Sequence, residues 1–118
     1  GLYGGLTELA SASSKGLQID KKKIPLSIGA ENICLLFGLD PFTTLSSGTI
    51  IITVKPEKEI EVIDALKSKG IISSIIGKII DLKEGCYYEE GGIKKSLNAS
   101  SEDQYWKALW NAYKKGWT

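Results

Sequence analysis

Apolar residues Leu6, Leu9, Ala10 and Ala12 recur at helical spacing through residues 6–15, and Gly16 follows as a stop, which predicts a first helix. Leu17-Gln18-Ile19-Asp20 alternates apolar and polar as a short strand does, until Lys21-Lys22-Lys23 and Pro25 end it. Pro25 and Ser27 introduce a second helix whose buried side is expected to carry Ile28, Ile33, Leu36 and Phe37, with Cys34 among them and Gly38 as its close. The polar Ser46-Ser47-Gly48 then leads into Thr49-Ile50-Ile51-Ile52-Thr53-Val54. Its β-branched side chains favour an extended backbone, and its almost unbroken apolar character predicts a strand buried on both faces.

Pro56 stands where the first turn of a helix tolerates it, Glu57 and Glu59 suit the positive end of the helix dipole, and Ile60, Ile63 and Leu66 form an apolar stripe before Gly70. Two further strands are expected over residues 71–76 and 78–82, with Gly77 as a bulge or bend between them. Residues 85–97 read as a β-hairpin at a sheet edge, turning at Glu90-Gly91-Gly92. Ser101 with Gln104 fits a capping box for a last helix, along which Trp106, Leu109, Trp110, Tyr113 and Trp117 recur at helical spacing. Such a stripe is expected to be covered, by the sheet or by another part of a longer protein. The order of elements predicts an α/β (α+β) fold, a mixed sheet layered with helices, as a single domain over residues 1–118.

Composition narrows the chemistry more than the fold. The 118 residues carry 15 basic and 14 acidic side chains for a net charge of +1, so nothing in the overall charge favours nucleic acid or an anionic membrane as partner. No run approaches the roughly 20 apolar residues of a membrane span, and a secretory leader pattern is absent, so a cytoplasmic location is expected. The chain has no His, no Met and, since all its basic residues are Lys, no Arg. Imidazole relays, arginine fingers and guanidinium clamps are therefore excluded for these residues. Cys34 and Cys86 lie far apart without metal-ligand spacing, so no metal site is expected. The many isoleucines and the all-lysine basic set point to an archaeal or thermophilic source. The missing initiator Met suggests a fragment of a longer chain.

Two short segments could bind a ligand. Tyr3-Gly4-Gly5-Leu6 puts side-chain-free backbone at a helix start, where unpaired N–H groups and the dipole can meet a phosphate, although an ordinary turn uses the same residues. Ser46, Ser47, Gly48 and Thr49 offer three hydroxyls and a glycine, which suit anion or substrate hydrogen bonding and equally suit a turn. Lys21-Lys22-Lys23 reads as a solvated charge run, and the C-terminal aromatic stripe as packing or a domain interface rather than a base-stacking platform.

Taken in order, Gly4-Gly5-Leu6 before Glu8-Leu9-Ala10, Ile24-Pro25-Leu26, Leu36-Phe37-Gly38-Leu39-Asp40-Pro41, Ser47-Gly48-Thr49, Lys55-Pro56-Glu57 and Ile75-Ile76-Gly77-Lys78-Ile79 resemble the C-terminal domain of the AIR synthase superfamily. The likeness is closest to its hydrogenase expression/formation (HypE) branch and to archaeal AIR-synthase-related proteins, and it covers residues 1–82 best. It implies a two-domain parent in which an N-terminal domain dimerises and holds most ligands of ATP and magnesium while this domain closes the cleft. By that resemblance Gly4, Gly5 and Leu6 lie by the nucleotide phosphates, and Ser46, Ser47, Gly48 and Thr49 lie by the substrate. Ser47 stands where the HypE branch has an acidic residue, and the chain ends in Gly116-Trp117-Thr118 where that branch ends in a carbamoyl-accepting cysteine. No catalytic residue is assigned, and the isolated domain is expected to bind no cofactor and to be inactive. The alternative is a non-catalytic interaction domain that presents its C-terminal aromatic helix to a partner.

Overall fold

A computed structural model describes residues 1–98 and 104–116. Its centre is a four-stranded mixed sheet of order β2-β1-β3-β4, built from β1 (Gly16–Asp20), β2 (Gly77–Ile80), β3 (Cys86–Glu90) and β4 (Ile93–Ser96). Strand β1 pairs antiparallel with β2, Gly16 opposite Ile80 and Ile19 opposite Gly77. On its other side it runs parallel to β3, with Leu17 opposite Cys86. Strands β3 and β4 close a hairpin through Gly91 and Gly92, both at positive φ, as a two-residue turn that follows the strand twist requires. The hairpin therefore supplies one interior strand and one edge strand, where the sequence predicts an edge feature alone.

Helix α1 (Leu2–Ser13) starts four residues earlier than its periodicity predicts, and Ser14 in the left-handed region ends it rather than Gly16. Lys15 N–H reaches Ala10 O at 3.1 Å, so the reversed last turn satisfies an otherwise orphaned carbonyl. Leu2, Tyr3, Leu6 and Ala10 share the buried side of α1 and pack with Leu17 and Ile19 of β1 and with Leu97. Gly16 opens β1 because a Cβ there would stand 2.6 Å from Asp81 O. Gly77, expected as a bulge or a bend, is a regular strand residue paired with Ile19, and its missing Cβ would run into Gln18 O.

Helix α2 (Ile28–Phe37) has the predicted caps. Ser27 Oγ accepts from Ala30 N–H at 3.2 Å, and Gly38 at φ 65° lets Leu39 N–H return to Cys34 O at 2.8 Å. Its expected buried side is not buried: only Cys34 is enclosed, and Ile28, Ile33, Leu36 and Phe37 face outward. Helix α3 (Glu59–Ser68) follows a turn begun by Pro56, as predicted, with Ile60 exposed and Ile63 and Leu66 half-buried.

The predicted strand over residues 49–54 does not form: the segment has no regular secondary structure and lies outside the sheet. Both sides of β1 are already occupied, and Ile51 rests on α1 at Gly5 instead of reaching a sheet edge. Residues 71–75 are likewise unladdered, and only Ile76 O continues the pairing, accepting from Asp20 N–H at 2.8 Å. Helix α4 (Gln104–Lys114) carries its aromatic stripe in the open, with Trp106, Trp110 and Tyr113 all exposed. Ser101 and Trp117 lie outside the described residues.

These exposed faces register on the whole molecule. Its accessible surface is 8611 Å² for 12.8 kDa, roughly a third more than the ~6,300 Å² of a compact monomer of that mass. Its radius of gyration is 16.0 Å, against about 13.5 Å for a compact chain of this length.

Candidate functional site

Asp40 organises the approach to the start of α1. Its Oδ1 accepts from Phe42 N–H at 2.9 Å and its carbonyl accepts from Thr43 and Thr44 N–H, a tight turn that an Asp-Pro pair favours. Phe42 O, held there, accepts Tyr3 N–H at 3.0 Å, while Gly5 N–H is spent on Gly1 O at 3.1 Å. Among the described residues no acceptor meets Gly4 N–H, and a Cβ at Gly4 would find nothing within 4 Å. Gly4 therefore leaves open space beside the first turn of α1, which carries no acidic residue and where the dipole favours an anion.

The chain on either side of the hydroxyl-rich loop touches the start of α1. Before the loop, Thr43 and Thr44 fill the space where Gly1 would carry a Cβ. After it, Ile51 Cδ1 stands 3.2 Å from the corresponding point at Gly5. Between these anchors Ser46 accepts Thr49 N–H at 3.0 Å through its carbonyl, Gly48 turns at φ 87°, and Ser47, Gly48 and Thr49 are exposed. The residues on either side of the hydroxyl loop, Thr43 and Thr44 before it and Ile51 after it, thus meet the first turn of α1. Leu6 does not join them: at 2% exposure it is the most enclosed side chain of the core and is closed to a ligand.

Beneath this end lies a cluster that the sequence does not reveal. Tyr3 stacks on Phe42 at 5.7 Å between ring centroids and tilts against Tyr88 at 5.3 Å. The Lys21 ammonium sits 5.3 Å from the Phe42 ring centre and 5.5 Å from that of Tyr88, and it pairs with Glu90 at 2.8 Å. Lys21 is thus a roof over aromatic rings and not part of a solvated run. Alternation along β3 carries the readable signal, since Tyr88 and Glu90 share one face of a strand. Hydrogen bonds from Lys21 and then Lys95 hold the Glu90 carboxyl at about 2, well below its ordinary 4.5. Burial, with smaller contributions from Tyr88, Asp40 and Glu90, pushes the Tyr3 phenol well above its ordinary value. The Tyr3 hydroxyl is enclosed and unpaired, and it stays protonated throughout the physiological range.

The arrangement offers neutral donors (backbone N–H and hydroxyls) around an open helix start, which suits hydrogen bonding to an oxyanion. Among the described residues no group of three His, Cys, Asp or Glu side chains could hold a metal ion. No described helix is long and apolar enough to cross a membrane.

Residues 1–88 match the family described as AIR synthase related protein, C-terminal domain. This chain belongs to that family. A hydrogenase expression/formation protein of Methanocaldococcus jannaschii is 35% identical over 79 residues, 65% of this chain and 24% of that protein. Carbamoyl dehydratase HypE of Rhizobium leguminosarum bv. viciae is 30% identical over 82 residues, 68% of this chain and 23% of its own length. The crystal structure of Escherichia coli HypE, a hydrogenase maturation protein, superposes with a TM-score of 0.77 at 24% identity, covering 87% of this chain and 33% of that one. The mixed sheet with its helices is thus the fold of the AIR-synthase-like domain. The chain spans about a quarter of the length of the curated relatives it matches.

Proposed function

We propose that this chain is the C-terminal domain of a HypE-like, ATP-using protein, and that the start of α1 and the Ser46 to Thr49 loop form one wall of a nucleotide or substrate cleft. An N-terminal domain of the same parent completes the cleft. The observation that supports this reading is the open space at Gly4 in the first turn of α1, with the residues flanking the hydroxyl loop, Thr43, Thr44 and Ile51, packed on the same turn. Backbone N–H groups and hydroxyls fit phosphate oxygens. Magnesium would be held mostly by the N-terminal domain, as the family resemblance implies. The phosphoryl group would arrive with the nucleotide, and this chain's part is to orient it with neutral donors.

Calorimetric titration of ATP and magnesium into the longer polypeptide tests the reading. Gly4→Leu points a side chain into the open space at α1 and should weaken binding at least about tenfold without lowering Tm. A wild-type polypeptide that binds no nucleotide, or a Gly4→Leu variant that binds normally, defeats the reading.

The exposed aromatic face of α4 supports a second reading, an interaction domain that has kept the fold without the chemistry. Trp110 is 60% exposed and meets Tyr113 edge to face at 6.2 Å between centroids. Under that reading Trp110→Ala abolishes association with a partner while nucleotide binding is unaffected. Under the first reading association does not depend on Trp110.

A further inference from the structure

Lys21-Lys22-Lys23 follows β1 as one helical turn, fixed at its start by Asp20 Oδ1, which accepts Lys22 N–H at 3.1 Å. The three side chains do not share one environment. Lys22 and Lys23 are exposed, whereas the Lys21 side chain is only 23% exposed. The parallel register of β1 and β3 sets Asp20 opposite Glu89, so the next residues along, Lys21 and Glu90, meet as an ion pair at 2.8 Å. That pair holds the ammonium against the rings of Phe42 and Tyr88, where the negative ring faces attract it.

Phe42 connects this cation to the start of α1. Its N–H is fixed on Asp40 Oδ1 at 2.9 Å, its ring stacks on Tyr3, and its carbonyl accepts Tyr3 N–H at 3.0 Å. A shift of Phe42 therefore moves the acceptor that holds the first turn of α1. We propose that Lys21 is a positioning residue, which fixes Phe42 and through it sets the first turn of α1 in the geometry that receives phosphate oxygens. The inference rests on the reading of that turn as part of a nucleotide cleft. Lys21 acts as a support beneath the cleft, because its charge is committed to Glu90 and to two ring faces.

Lys21→Met keeps an unbranched apolar stem and removes the charge. Glu90 retains Lys95 in that variant, so the β3–β4 hairpin keeps an ion pair. Lys21→Arg supplies a guanidinium that can pair with Glu90 and stack on the rings. Two measurements test the proposal: amide exchange read by NMR on the 118-residue chain, and calorimetric titration of ATP with magnesium into the longer polypeptide, well below its Tm. Lys21→Met should speed exchange of the Tyr3 amide at least about tenfold while the amides of β1 keep their protection, and should weaken ATP binding at least about tenfold. Lys21→Arg should restore both, and Lys22→Met should change neither. Unchanged Tyr3 exchange in Lys21→Met overturns the proposal. So does faster exchange with undiminished ATP binding, because Lys21 would then support the fold alone. A wild-type polypeptide that binds no nucleotide, with Tyr3 still released by Lys21→Met, defeats the nucleotide reading and leaves the link from Lys21 to α1 standing.

Discussion

Gly4 and Gly5 are neighbours in sequence and differ in what surrounds them. A methyl at Gly4 meets nothing within 4 Å, whereas one at Gly5 comes 3.2 Å from Ile51 Cδ1. Gly4→Ala should therefore stabilise the chain by about 0.5–1 kcal/mol through lower backbone entropy in the unfolded state. Gly5→Val, which pushes a branched side chain into Ile51, should cost about 1–3 kcal/mol. Urea midpoints measure both, and equal midpoints would show that Ile51 does not rest on the helix. Glu90 makes a second prediction at this scale. Its carboxyl titrates lower folded than unfolded, about 2 against 4.5, because Lys21 and Lys95 donate to it. A depressed folded value adds stability that is present above about pH 4.5 and is lost as the pH falls toward 2. Glu90→Gln should flatten that part of the acid limb and lower stability above about pH 4.5 by the same amount, a small one because pairs this open are worth little. An unchanged slope between pH 4.5 and 2 would mean that Lys21 and Lys95 do not hold the carboxylate in solution.

Elements whose signals are local are legible in the amino-acid sequence alone. Ser27 and Gly38 cap α2 because a side-chain oxygen and a left-handed residue act within a few positions of themselves, and Gly91-Gly92 turns a hairpin on the same logic. The mixed sheet layered with helices is legible through family resemblance. What the sequence conceals depends on distant partners. The β-branched run over residues 49–54 states a preference for extended backbone, and whether it is laddered depends on which edges are free and on Ile51 meeting α1. The Tyr3–Phe42–Tyr88 cluster joins three elements far apart in the chain, and no spacing along it announces their meeting. Gly77 reads as a bend because glycine interrupts strands, yet here it admits the backbone of β1 at Gln18 O. Gly77→Ala should accordingly loosen the β2–β1 ladder, with faster amide exchange in β2 and a cost of about 1–3 kcal/mol. Unchanged exchange in β2 would show that the two strands do not approach so closely.

At the scale of the molecule, the chain combines a small, well-enclosed core under α1 with apolar faces that stand exposed among the described residues. Helix α2 is the clearest instance, since Leu35 is 80% exposed on an element rich in Ile and Leu. A helix apolar on most sides belongs inside a larger body, and the surface excess agrees with that. The consequence is that one substitution should have two different effects according to context. Leu35→Lys in the 118-residue chain replaces a side chain that is 80% exposed with a solvated charge, so its stability should change by no more than about 0.5 kcal/mol and its tendency to self-associate should fall. In the longer polypeptide of the proposed two-domain protein, where that face is covered, the same lysine loses water and finds no partner there. It should cost about 2 kcal/mol or more, read as a lower urea midpoint for the long polypeptide alone. Equal midpoint shifts in both polypeptides would mean that α2 stays exposed in the parent, and the cover for this molecule would have to be sought in a separate partner.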